Sequence, residues 1–401
     1  MPDLEELAQL FAAEHRADPY PLYRRWREAA PVAEPVPGFV VVSGLAEATA
    51  VVRDPAFGHP DPEVVPLADR HPDDLYDDEG RPVVSFLGLN PPDHTRLRRL
   101  VSKAFTPRTV ELLRPRVEAI TARLVSELID AGTADLMTAL AAPLPVEVIS
   151  ELLGVPVADR SRFAEWSHAL ARALDPAFLV PDSAVSAAAV AGREFNAYFR
   201  VLAAERRAHP GDDLLSDLVA VTDQGDKLTE AELLVTLTLL LVAGHETTTN
   251  LIGNGVLALL RHDGLTALGP DGSGAPNAVE ETLRYDSPVQ LTTRVALSPT
   301  TVGSLRVGPG TQTLVLIGAA NRDPATHPAP GTFDPTREPS RHLAFGQGLH
   351  FCLGSPLARL EGRTVLRELA RRTPALSLAG APSWNPTTIL RGLANLPVSI
   401  R

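Results

Sequence analysis

The chain has 401 residues, of which 44% are hydrophobic and 21% charged, with a formal net charge of −12. That balance is ordinary for a soluble globular protein, and the acidic total argues against a general nucleic-acid-binding surface. The single cysteine, Cys352, excludes an internal disulfide, so nothing points to an oxidising compartment.

The first 21 residues are acidic and amphipathic and lack the basic start and apolar run of a signal peptide. The most apolar stretch, residues 233–244, is too short to span a bilayer. The expectation is a cytoplasmic protein with no membrane partner. In chain order, the pattern predicts a short helix over 18–29, a strand pair around 37–44 and a helix over 45–54. Residues 56–90 are rich in proline and acid and read as a long irregular loop, a kind that is usually functional or disordered. Helical periodicity then dominates 92–262, with breaks at 106–108, 154–160, 175–182 and 209–213. Strand alternation with glycine turns occupies 289–317, and loop occupies 318–351. A helix follows from Ser355, and short strands fill the last 25 residues. The fold class is mainly α with small β-sheets.

Three segments carry unusual residues. The helix near 230–262 opens on a Thr229-x-x-Glu232 capping box. Its apolar face then runs into Ala243-Gly244-His245-Glu246-Thr247-Thr248-Thr249-Asn250. Glycine and consecutive threonines are poor ways to continue a buried helix. The stretch predicts either a local distortion beside a small polar pocket or a surface polar turn. It is not a His-Glu-x-x-His zinc motif, because position 249 is Thr. In the helix after Pro91-Pro92, His94 and Arg98 lie one turn apart and suit an anion such as a carboxylate. Arg96, Arg99 and Lys103 gather on roughly the opposite side, either as a face for an acidic partner or as a solvated charge run. Leu97, Val101 and Ala104 take the core side. Glu281 and Arg284 form an i,i+3 pair, which alone says little.

The sharpest signal is Phe345-Gly346-Gln347-Gly348-Leu349-His350-Phe351-Cys352-Leu353-Gly354. A lone cysteine is most often a small inert hydrophobe. Here Gly346 and Gly348 allow tight turns and a close approach of backbone N–H groups to the sulfur. A helix begins just after Cys352, and its N-terminal dipole favours a thiolate. A buried thiolate with no metal or cation is costly, so the loop implies a bound metal. One cysteine cannot build a structural zinc site or hold an iron–sulfur cluster. Haem iron needs one proximal ligand, and a thiolate there favours O–O cleavage.

These ten residues resemble the haem-binding signature of the cytochrome P450 family. Ala243-Gly244-x-Glu246-Thr247, Glu281-x-x-Arg284 and Phe333-Asp334-Pro335-x-Arg337 precede it in that family's order. The resemblance covers essentially the whole chain and is strongest to the soluble bacterial, actinomycete-like branch. It implies one domain, 1–401, with haem b buried between the long distal helix (about 230–262) and the proximal helix after Cys352.

The same resemblance implies the roles of individual residues. Cys352 is the axial iron ligand, Phe345 and Gly346 belong to its loop, and Gly354 permits close approach to the haem. Ala243 and Gly244 lie on the distal side. His94, Arg98, Arg294 and His350 match propionate-binding positions. Glu281, Arg284 and Arg337 match a structural ion-pair cluster. Glu246 and Thr247 match the acid–alcohol pair that relays protons during oxygen activation, with Thr248 the alternative alcohol. The implied reaction inserts one atom of O2 into an organic substrate by hydroxylation or epoxidation, tailoring a macrolide, terpenoid or polyketide.

Electrons would come from NAD(P)H through a reductase and a ferredoxin docked on Arg96, Arg99, Lys103, Arg359 and Arg363 of a monomer. Pocket walls would come from the 56–90 loop, the 165–190 region, Leu239, Val242, Ala243, Val289, Leu291, Thr292, Ile389 and Leu390. Oxidative coupling, peroxide-driven oxygenation and a non-catalytic haem-binding role remain alternatives. The chain departs from the family pattern at Asn90, where Asp is expected, and in a short, glycine-rich 261–278 segment.

Overall fold

Thr229 sets the start of the longest helix. Its Oγ1 accepts a hydrogen bond from the Glu232 amide at 3.2 Å, while Glu232 Oε2 accepts from the Thr229 amide at 2.9 Å. Two amides that the helix itself cannot satisfy are thereby satisfied. The computed structural model describes residues 3–64, 75–77, 79–222, 225–262 and 264–400. Its α-helices are α1 (Leu4–Gln9), α2 (Tyr20–Ala29), α3 (Leu45–Arg53), α4 (Asp93–Ala104), α5 (Pro107–Ala131), α6 (Pro143–Leu152) and α7 (Arg160–Arg172). There follow α8 (Asp182–Ala208), α9 (Leu214–Ala220), α10 (Glu230–Arg261), α11 (Ala275–Tyr285), α12 (Ile317–Ala320) and α13 (Ser355–Arg372). Among the described residues no helix is long and apolar enough to cross a membrane.

The described chain divides into two compact units, each assembled from separate segments of sequence. The first comprises residues 1–58, 117–144 and 247–401. Its main sheet has five strands, in the order Val32–Val36, Phe39–Val42, Gln312–Leu316, Leu291–Ala296, Phe57–Gly58. Phe39–Val42 runs parallel to Gln312–Leu316, and the other pairs are antiparallel. Strand alternation buries both faces. Val40, Val42 and Val315 join the apolar cluster holding Leu45, Ala48 and Val51 of α3. Val41, Leu314 and Leu316 join the cluster holding Leu22, Tyr23 and Trp26 of α2. The second unit comprises residues 59–116 and 145–246. Its core centres on Phe163 and Trp166 of α7 against Phe195 and Phe199 of α8, with ring centroids 5.6–6.1 Å apart across the two helices.

Most expected breaks coincide with turns. One further break lies within the mainly helical 92–262 stretch: Gly132, at φ +68°, ends α5 and accommodates the turn. A short strand, Thr133–Asp135, follows and pairs with Pro397–Ser399, so its partner comes from the other end of the sequence. One expectation needs correction: α10 is α-helical throughout, with no interruption at 243–250. Burial overrides weak propensity there, since His245, Glu246, Thr248, Thr249 and Asn250 are all buried. A Cβ at Gly244 would stand 3.3 Å from the Ile149 side chain of α6, so the glycine permits helix contact and breaks nothing. Within the expected 56–90 loop, residues 65–74 and 78 lie outside the described residues.

Candidate active site

The first unit carries the cysteine loop. Gly346 and Gly348 adopt φ of +63° and +70°, a region that disfavours side chains. A Cβ at Gly348 would also meet the Val52 carbonyl oxygen at 2.8 Å. The Cys352 amide donates to the Phe345 carbonyl at 2.9 Å, closing the loop. Cys352 is half-buried and lies two residues before Gly354, the N-cap of α13. His350 ends a single 3-10 turn, Gly348–His350.

Arg294 is an isolated cation in the same unit. It is buried, and its Nη1 donates only to Thr292 Oγ1 at 3.0 Å and to the Thr293 carbonyl at 2.7 Å. No carboxylate faces it among the described residues, and burial alone lowers its pKa. Such a guanidinium is suited to an anionic group. Strand register puts Arg294 and Thr292 opposite Thr313 and Val315, on the sheet face away from Leu291. Leu291 is 3% exposed and belongs to the cluster with Tyr23 and Trp26. The expectation that Leu291 lines a pocket is therefore corrected; strand parity turns it into the core. Val289 and Leu390 form an isolated bridge, bringing those two residues together. Ile389 packs partly against the α2 cluster.

Glu281 and Arg284 are joined by two bonds of 2.7 Å, Arg337 Nε reaches Glu281 at 3.2 Å, and the Asp334 amide donates to it at 3.0 Å. Arg284 also donates to the carbonyls of Asn321, Pro330 and Thr332. The guanidinium thus gathers the 321–337 loop onto α11.

The basic face is largely neutralised. Arg359 pairs with Glu280 at 2.7 and 3.0 Å, and Arg363 reaches the same carboxylate at 3.3 Å. His342 completes the group at 3.2 Å, and Arg359 stacks 4.4 Å from the Phe345 ring centroid. Burial would raise the Glu280 pKa, but hydrogen bonds from His342 and Arg359 lower it to about 2. In the second unit, Arg96 pairs with Asp226 and with Glu232. Arg96, Arg359 and Arg363 therefore also brace the fold. Arg99 and Lys103 remain exposed.

The second unit also holds His94 and Arg98 on one side of α4. His94 is 2% exposed, and burial, then the nearby Arg98, depresses its pKa. Both lie beside the Phe86 ring, at 6.3 and 5.9 Å. Along α10, Ala243 is exposed and Leu239, Gly244 and Thr247 are half-buried, whereas Val242, Glu246 and Thr248 are buried. The helix thus presents one open stripe of small and polar residues. The Glu246 carboxylate sits 3.6 Å from His168 Nδ1 of α7 and 3.8 Å from His245 Nδ1. Burial would raise its pKa, yet the two histidines bring it below the ordinary value.

Sequence reading missed two of these groups. His168 is revealed only by the packing of α7. Glu361 of α13 is 1% exposed, its Oε2 has no hydrogen-bond partner among the described residues, and burial holds its pKa well up. Its neighbour Gly362 lies against Val279 and Leu251, within 3.4 Å of a Cβ built there. Leu357 and Val365, four residues to either side of Glu361, are buried as well, and that apolar row marks this face of α13 as internal.

The donor set fits a haem. In the first unit it has one half-buried sulfur on a glycine-shaped loop at a helix start and a buried arginine that no carboxylate faces among the described residues.

The cytochrome P450 family model matches residues 275–372. Over the whole chain, the cytochrome P450 monooxygenase PikC of Streptomyces venezuelae is 43% identical across 94% of its own length. The 6-deoxyerythronolide B hydroxylase of Saccharopolyspora erythraea is 41% identical, also over the whole chain and 99% of its length. Among solved structures, ligand-free CYP164A2 of Mycobacterium smegmatis superposes with a TM-score of 0.89 at 44% identity, covering 99% of this chain and all of that one. A sulfur-bearing loop of this shape and full-length similarity of this degree have one common explanation: the chain belongs to the cytochrome P450 family.

Proposed function

We propose that this cytochrome P450 inserts one oxygen atom of O2 into an apolar organic substrate, by hydroxylation or epoxidation, and reduces the other to water. The observation that carries the reading is the loop around Cys352, closed by the Cys352–Phe345 backbone bond and aimed at the start of α13. Haem bound there would supply the oxidising chemistry, and Cys352 would hold its iron. By the family resemblance, Arg294 and His350 of the first unit, and His94 and Arg98 of the second, would hold the haem propionates. Ala243 and Gly244 leave room on the distal side because neither carries a bulky side chain. By the family resemblance, Glu246 would take up and hand on a proton during turnover and Thr247 would relay it, which suits acid–base work by a buried carboxylate next to a hydroxyl. Glu281, Arg284 and Arg337 brace the first unit.

The family resemblance offers as substrate-contacting residues Leu239, Val242 and Ala243 in the second unit and, separately, Val289, Thr292, Ile389 and Leu390 in the first. Two relatives named above are a monooxygenase and a hydroxylase of 6-deoxyerythronolide B, and a third is a polyketide biosynthesis P450 of Bacillus subtilis. These names favour a macrolide or polyketide substrate in secondary metabolism. Electrons from NAD(P)H would arrive through a reductase and a ferredoxin, with Arg99 and Lys103 the exposed cations of the proposed face. The chain would act as a cytoplasmic monomer and as one functional domain.

The test is the carbon monoxide difference spectrum of the dithionite-reduced protein, followed by a screen of ligand-induced spectral shifts. The red-shifted Soret band of thiolate ligation is expected, and Cys352→Ser should abolish it. A band typical of histidine or protonated-thiol ligation would overturn the assignment of Cys352.

A further inference from the structure

Ile389 and Leu390 stand at the tip of a hairpin in the first unit whose strands, Ser383–Trp384 and Leu393–Asn395, pair only with each other among the described residues. A two-stranded ribbon of that size is marginal on its own. Backbone bonds tie its tip to the segment after α11: the Gln290 amide donates to the Ile389 carbonyl at 2.9 Å, and the Arg391 amide to the Pro288 carbonyl at 2.7 Å. Side chains add to this anchorage. Asn254 of α10 is 1% exposed, and its Nδ2 donates to the Arg391 carbonyl and to the Asp286 carbonyl, each at 3.1 Å. One turn earlier on α10, the Asn250 side chain lies where a Cβ on Gly392 would stand.

Arg391 is buried next to the tip. Its Nε donates to the Asp286 carboxylate at 2.6 Å, its Nη1 to the Arg16 carbonyl and its Nη2 to the Ala17 carbonyl at 3.0 Å. Its guanidinium lies 3.7 Å from the centroid of the Trp384 ring. Tyr20 donates to the same Asp286 oxygen at 2.6 Å. We propose that Asn254 and Arg391 are positioning residues for the substrate: they fix the hairpin tip, and so set which ligand lengths fit against Ile389 and Leu390 and which carbon is presented for attack. This rests on Ile389 and Leu390 touching substrate, as proposed above.

A primary amide has two N–H donors, and Asn254 gives them to carbonyls of two separate segments, so it fixes the spacing between the tip and the end of α11. The Arg391 fork does the same between the tip and the segment that enters α2. A shift of the tip away from α10 breaks the Asn254 bonds and leaves buried carbonyls unsatisfied. A shift away from α2 parts a buried ion pair. Both are costly, so the tip has one stable place. Displacement of a supporting element by about 1 Å is enough to alter how a substrate is presented.

The probe is a series of N-alkylimidazoles, from methyl to dodecyl, titrated into the haem-loaded protein and followed by the Soret shift. The ring reports on the iron in every case, and only the longer chains reach the surrounding walls. Ile389→Ala and Leu390→Ala should weaken long-chain binding by roughly tenfold and leave methylimidazole as in wild type. Asn254→Ala and Arg391→Lys should reproduce that selective loss. Asn254→Ala combined with Leu390→Ala should fall well short of the product of the two single losses, because both act through one tip. Guanidinium unfolding is measured in parallel, and Asn254→Ser, which keeps one donor, replaces either variant that does not retain haem. Lower stability with a wild-type ratio of long- to short-chain affinity in Asn254→Ala and Arg391→Lys means bracing alone and overturns the proposal. Multiplicative losses in the double variant overturn it as well. If the alanines at 389 and 390 also leave the ratio unchanged, the substrate-contact reading beneath fails and the proposal falls with it.

Discussion

Asn90 clasps the backbone of His59 from both sides: its Nδ2 donates to the His59 carbonyl at 2.8 Å, and its Oδ1 accepts from the His59 amide at 2.8 Å. Only a primary amide offers a donor and an acceptor at that spacing, which accounts for Asn where the family resemblance leads one to expect Asp. The Asn90 carbonyl in turn accepts from the His94 amide at 2.9 Å, so the clasp fixes the entry to α4. Asn90→Asp should lose the donated bond and set a carboxylate against a carbonyl oxygen, costing about 1–3 kcal/mol. The change is read as a lower denaturant midpoint at unchanged slope. A wild-type midpoint in Asn90→Asp would show that the clasp contributes nothing.

Arg284 is 1% exposed and spreads its donors over one carboxylate and three carbonyls. Lysine brings the charge but not the planar fork. Arg284→Lys should leave Glu281 and at least one carbonyl unsatisfied, at a cost of about 3–5 kcal/mol. Soluble yield and thermal unfolding are the measurements. Wild-type stability in this variant would remove the pair from its bracing role.

Local features proved legible in the sequence. The Thr229–Glu232 capping box and the Glu281–Arg284 pair each close within one helical turn, so spacing alone reveals them. Cys352 was legible because its loop chemistry is nearly unique. What escaped depends on partners distant in sequence. Glu280 pairs with Arg359 and Arg363 from a different helix, and Asp226 and Glu232 pair with Arg96; the sequence of each basic helix contains none of these partners. Leu291 was misplaced because strand parity depends on its pairing with Leu316. The tight space beside Gly244, where a Cβ would stand 3.3 Å from Ile149, is a feature no propensity scale contains.

The glycines of the cysteine loop divide into two kinds. Gly348 has φ +70° and a carbonyl 2.8 Å from its Cβ position, whereas Gly354 has φ −79° and nothing nearer than the Cys352 sulfur at 4.0 Å. Gly348→Ala should therefore destabilise the protein by about 1–3 kcal/mol, measured by thermal unfolding. Gly354→Ala should fold with wild-type stability in the absence of haem, because the polypeptide has room for a methyl. If Gly354 gives the haem its close approach, that variant should still bind haem more weakly, measured by haem loss to a competing apoprotein. Equal stability losses in both variants would reject the division.

Glu361 provides a test in which pH sets the size of the effect. Its carboxyl is buried without a hydrogen-bond partner for Oε2 among the described residues, and burial raises its pKa, so the folded chain keeps a proton that the unfolded chain releases above its ordinary value of 4.5. Stability is therefore lost as pH climbs past the unfolded value, by about 1.4 kcal/mol per pH unit. The loss levels off once the folded group also ionises. Glutamine has the same shape and no proton to lose. Glu361→Gln should match wild type at roughly pH 4 and melt at increasingly higher temperature than wild type towards roughly pH 8. A difference in melting temperature that stays constant with pH would mean that Glu361 is already charged in the folded protein. Its neighbourhood would then have to contain a counter-charge.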